Sequence, residues 1–438
     1  MKQHDTLGNP VTGATDKAIE QYQRALVQLH CWSGDPVQTI EAVTNTVPEF
    51  AMGHLLHAWL NLLSTEPEAV AIARADLQRC AELPLNRREQ AHAAAAAAFA
   101  GGRWADACRI LEDISIDYPR DALALQAGHL GDYLRGDSRM IRDRVARAFD
   151  HWSDSDPGYH AVLGMYAFGC EETGDYDRAD RLGRRALDFE PRDAWAHHAV
   201  AHVFEMAGRS REGIEWMRDR QPYWAEDNFL AVHNWWHWAL FHLDLGEIDR
   251  VFALFDGPIH GPRSTATVDL IDASALLWRL QLRGIDVKGR WDSLAESWRT
   301  TARPGLYAFN DFHAMMAWVG AGDAERAERW RAAQTTQDPD QTGDHAAIGV
   351  EVGAPLLEGL GAFGRGDYSA AVEVLRCVRP VAHRSGGSHA QRDLVDLTLI
   401  EAARRSGNRP LARALVAERV QRQPRSRFNR ALELRLAA

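Results

Sequence analysis

Nineteen histidines make imidazole chemistry the first thing to test in this chain. In the segment AHHAVAHVFEM (196–206), His198, His202 and Glu205 fall at i, i+4 and i+7, one face of a helix. In HNWWHWALFHLD (233–244), His233 and His237 stand four apart with Trp236 between them. DLIDASALLWRL (269–280) adds Asp269 and Asp272, and NDFHAMM (310–316) adds Asp311 and His313. A pair of imidazoles one helical turn apart chelates transition metals, and a neighbouring helix can add a third ligand. On this reading His198, His202 and His237 are the candidate metal ligands. The sequence is not HExxH, and no glutamate adjoins the first His as a general base. An aromatic-walled pocket using His and carboxylate for acid–base work or ligand anchoring fits the same residues. The alternative is a polar network that only registers neighbouring helices. A second polar cluster, GGSHAQRD (386–393), offers His389 and Arg392 to an acidic group, with Ser388 as a helix cap.

The elements that would position these residues are set by a repeat. Gly followed by a polar residue (Ile285 after Gly284 excepted), with an Ala or similar residue five places on, recurs at Gly34, Gly102, Gly136, Gly174, Gly208, Gly246, Gly284, Gly322, Gly366 and Gly407. The interval from Gly34 to Gly102 has room for one more turn, expected at STEPEA (64–69) with Pro67 in place of glycine. A period in the thirties to low forties belongs to helix–turn–helix repeats. Each Gly ends one helix in a left-handed conformation and turns the chain into the next. Gly174, Tyr176, Ala179, Ala186 and Pro191 follow the second half of the tetratricopeptide pattern. The helix after Gly174 is expected to bury a stripe of Ala179, Leu182, Ala186 and Phe189. No alternating strand pattern competes. The predicted fold is all-α, a tetratricopeptide-like α–α superhelix of about eleven helix pairs running as one continuous domain over 1–438. It carries an N-terminal arm at 1–14, a Gly/Pro loop after Asp256 and a polar linker at 335–344.

His92 and His198 lie ten residues before their turn glycines, and His237 and His313 nine before theirs. Equal offsets in stacked repeats predict neighbouring positions on the first helices, which line the concave face. His198, His202, His237 and His313 are therefore expected to converge.

Composition limits the function. Lys+Arg 50 against Asp+Glu 61 gives −11, and the only lysines are Lys2, Lys17 and Lys288. Such a chain is a poor phosphate-backbone or anionic-membrane binder, so neither nucleic acid nor membrane is expected as a partner. Five scattered cysteines without a CxxC, and no apolar leader, fit a reducing, cytoplasmic setting. Fifteen tryptophans demand large apolar slots, in a core or a pocket. There is no Walker A loop, GxSxG elbow or GxGxxG after a strand.

The segments HHAVAHVFEMAGRSREGIEWM, HNWWHWALFHLDLG, LLWRLQLRG, FNDFHAMMAWVGAG and GGSHAQRD, with DTLGNPVTGAT near the start, resemble the tetratricopeptide repeat protein 38 family. The resemblance implies a helical superhelix in the cytosol and supplies no catalytic residues. Two functions follow as expectations. The first is a His/Trp/acidic pocket on the concave face that binds a small molecule or a transition metal, with catalysis open. The second is a scaffold that grips a peptide or protein on the same face.

Overall fold

A computed structural model describes residues 3–335 and 343–437. The chain is all-α and built of paired helices, with one two-residue strand pair, Gln3–His4 against Pro10–Val11, in the N-terminal arm. Most of the linker expected at 335–344 lies outside the described residues.

The repeat rests on a two-residue device. All ten turn glycines have positive φ, between 64° and 86°. The residue after several of them is Asp or Asn, and its side chain caps the next helix. Asp175 accepts from the Arg178 backbone N–H at 3.3 Å, and Asp137, Asp367 and Asn408 do the same for Met140, Ala370 and Leu411 at 3.1, 3.1 and 3.3 Å. Glycine thus ends one helix and its neighbour starts the next. At the turn without glycine, Thr65 takes the left-handed conformation at φ 57°, and Pro67 opens the following helix. The turn predicted there exists, but Thr65 rather than Pro67 replaces the glycine. Proline cannot do so, because its ring locks φ near −65°.

Small residues set how closely paired helices approach. The helix Tyr176–Phe189 buries Ala179, Gly183 and Ala186. A Cβ on Gly183 would stand 2.6 Å from Val200 Cγ2. Phe189, expected on that stripe, is 41% exposed. Its ring lies edge-on to Tyr159 at 5.6 Å. The tryptophans fill the core: Trp59, Trp224, Trp236, Trp278, Trp298 and Trp318 are all fully buried. After Asp256 the expected loop is partly helical. A π-turn spans Phe255–Ile259, and the next helix begins at Thr267.

The chain forms two compact units. Of the described residues, the first comprises 3–200 with 226–230 and 343–345, and the second 201–225, 231–335 and 346–437. The first is knit by buried ion pairs, Arg88 to Asp121 and Arg144 to Asp132, each at 2.8 Å, and by a hydrogen bond from His92 to the Asp121 carboxylate at 2.9 Å. The second contains the His/Trp segments, on Ala231–Leu245, Thr267–Leu282 and Ala308–Gly320, which pack in sequence order. Among the described residues, one helical run, Asp344–Gly364, is long and apolar enough to cross a membrane, but 61% of its most apolar stretch is buried in the fold, as in a core helix.

Candidate metal centre

The second unit brings three imidazoles together. His202 comes from the helix Ala194–Met206, and His233 and His237 from Ala231–Leu245. Each offers one ring nitrogen, and these nitrogens lie within 4.8 Å of one another. The His202 and His237 ring centroids are 4.5 Å apart, and those of His233 and His237 4.9 Å with planes at 89°. His202 and His237 are sealed from solvent, at 0% exposure each. Zinc–nitrogen bonds of ~2.0–2.1 Å set tetrahedral ligand nitrogens ~3.3 Å apart. The three nitrogens therefore stand within about 1.5 Å of that spacing.

A carboxylate orients each ring of the His233/His237 pair. His233 Nδ1–H donates to Asp272 Oδ2 at 2.8 Å, and His237 Nδ1–H to Glu205 Oε2 at 3.0 Å. With Nδ1 engaged, Nε2 is the nitrogen each ring presents. Carboxylate–histidine pairs of this kind fix the tautomer and raise ligand basicity in metal sites. Trp236 is fully buried and stacks on His233 at 5.3 Å with planes 20° apart, which holds that ring in place. Burial, and then the neighbouring His202, His233 and Arg279, pushes the His237 pKa well below its ordinary value. Asp269, one turn before Asp272, is pushed up to about 6 by burial, against the hydrogen bond from Ser264.

His198 is buried one turn before His202, in the first unit, where its ring packs on Phe168 and Trp195 at 5.2 and 4.7 Å. His313 does not join the group. Its Nδ1–H donates to the Phe309 carbonyl at 2.8 Å, and burial pushes its pKa down to about 4. The shared offset fails for a geometric reason. The helix Thr267–Leu282 lies between those of His237 and His313, and Ala275 holds the equivalent place, nine before Gly284. Two interhelical spacings of ~8–10 Å are too far for one ligand sphere. Asp311 is likewise elsewhere: its Oδ2 accepts from the Gly305 backbone at 3.1 Å. In the 386–393 cluster, Ser388 forms a capping box with Gln391, while Arg392 donates to the Gly387 carbonyl and lies 3.4 Å from His389 Nδ1. His389 and Arg392 thus serve the helix start rather than the imidazole group.

Arg279 escaped the sequence reading. It is 5% exposed, its guanidinium lies 5.9 Å from the Trp236 ring centroid, and its charge bears on both His237 and His313. A basic residue in the apolar run ASALLWRL was the available signal.

No protein-family model matches the chain. Among solved structures, it resembles a chain of the APC/C hetero-tetramer Cut9–Hcn1 with TM-score 0.44 and 12% identity, covering 88% of this chain and 63% of that one. The chain thus spans less than two thirds of that protein. Human IFIT1 in complex with m7Gppp-AAAA gives 0.40 and 14%, covering 97% and 96%. Yeast Tom70 gives 0.34 and 13%, covering 95% and 87%. At such scores and identities these likenesses transfer no function.

Proposed function

We propose that this tetratricopeptide-like repeat protein binds a transition-metal ion of the zinc, copper or nickel class through His202, His233 and His237. The observation that carries the reading is the paired carboxylate support, Asp272 behind His233 and Glu205 behind His237, around three nitrogens within 4.8 Å. Three neutral imidazoles suit zinc, copper or nickel and do not suit calcium or magnesium. The test is metal binding by untagged protein, with His202→Ala, His233→Ala and His237→Ala each weakening it.

A scaffold that grips a partner through these side chains is the weaker reading. His202, Trp236 and His237 are buried, so they present no surface to a peptide. Kinship with the tetratricopeptide repeat protein 38 family belongs to this proposal and rests on segments such as HNWWHWALFHLDLG.

A further inference from the structure

The second unit also holds a cavity of about 210 Å³, with apolar walls from Leu397, Ile400, Phe428 and Leu432 and with Arg279 and Arg283 at its polar side. Its charges do not balance. Arg279 and Arg419, each 5% exposed, share a single carboxylate, Asp393, at 3.1 and 3.0 Å. Arg283 reaches no carboxylate among the described residues. Its Nη1 donates to the Leu243 carbonyl at 2.6 Å and its guanidinium lies 3.6 Å from the Phe428 ring centroid. Arg279 is committed through Nη1 to Asp393 and through Nη2 to the Ala390 carbonyl, and the Nε atoms of both arginines are shut off from solvent, which leaves Arg283 Nη2 to meet an anion. The nearby carboxylates are engaged elsewhere. Asp244 accepts from Ser210 and Ser426 at 2.9 and 2.6 Å, and Glu401, on the cavity wall, accepts from Arg404 and Arg405 at 2.7 and 2.6 Å. Burial, and next the charge of Arg279, pushes the Arg283 pKa down to about 9, a cost that an anion would relieve.

We infer that this cavity binds a small amphiphilic monocarboxylate, its carboxylate on Arg283 beside the charge of Arg279 and its apolar chain against Leu397, Ile400, Phe428 and Leu432. Guanidinium and carboxylate form a charge-assisted hydrogen bond, and the apolar walls reward a hydrocarbon tail that inorganic anions lack. The volume falls below the ~300–1,000 Å³ of drug-sized sites, which limits the ligand to a short or medium chain.

The test titrates the full chain, with chelator present, with octanoate, octan-1-ol and inorganic phosphate. Chelator removes any dependence on the imidazole site, so failure of the metal reading leaves this result standing. Octanoate should bind at least about ten-fold more tightly than octan-1-ol, the value of one charged hydrogen-bonding head group, and phosphate should not compete. Arg283→Leu should remove that preference. Ala431→Trp, on the exposed rim, should block octanoate without altering the buried charges. Equal binding of octanoate and octan-1-ol, competition by phosphate alone, or unchanged octanoate binding in a folded Arg283→Leu or Ala431→Trp variant would overturn the proposal. The three-ligand comparison on the unaltered protein decides even if the arginine variant does not fold.

Discussion

At the residue scale, the structure separates histidines that share one composition into two kinds. Some are core histidines held neutral by burial. His30 and His129, in the first unit, have pKa values pushed down to about 3, first by burial, then for His30 by His160. Their folded pKa lies below the unfolded value near 6.5, so the unfolded chain binds more protons between pH 6.5 and about 3. Stability is full above that window and falls through it as pH drops, by up to ~1.4 kcal/mol per pH unit for each group. Urea denaturation at pH 7.5 and 5.0 should show the loss. His129→Phe should shrink the difference between the two pH values, and an unchanged difference would mean that His129 already carries a proton in the fold. The other kind is held by carboxylates. If His233 is a metal ligand oriented by Asp272, Asp272→Asn should weaken zinc binding ~10–100-fold while His233 itself remains. Equal zinc affinity in that variant would reduce the Asp272 hydrogen bond to packing.

At the element scale, the turn glycines and the helices they separate were legible because they depend on local conformation. Gly followed by Asp or Asn ends one helix and caps the next, and both effects are written within a few residues. The glycine-free turn was legible as a turn, but sequence assigned it to Pro67. The residue that must enter the left-handed region is set by where the preceding helix runs out, at Thr65. The reach of the imidazole group was not legible. His237 and His313 share an offset, yet Ala275 at that offset on the intervening helix breaks the ladder. Pairing across helices depends on which repeats touch, and offset alone does not carry that. Nor did the apolar setting of ASALLWRL reveal that Arg279 would be the buried cation between His237 and the arginine cavity. The turn reading has its own test. A Cβ on Gly246 meets nothing within 4 Å, so the cost of replacing it comes from its φ of 78°. Gly246→Val should cost more than ~1 kcal/mol, and Gly246→Asn less, because Asn tolerates the left-handed region. Equal melting temperatures for the two variants would show that the turn relaxes to a different conformation.

At the scale of the whole molecule, helices that pack on their sequence neighbours within each unit make stability a matter of neighbouring contacts. Far-UV circular dichroism should show helix with negligible sheet, since the described strands amount to two residues each in one pair. The function assigned here turns on a smaller set of atoms: the nitrogens of His202, His233 and His237 with Asp272 and Glu205 behind them. The direct measurement is a zinc titration of untagged, chelator-stripped protein by calorimetry, beside a His233→Ala/His237→Ala double variant whose circular dichroism remains helical. One zinc ion should bind per chain, and the double variant should lose it. No saturable zinc binding by the unaltered chain, or the same affinity in the double variant, would contradict the account.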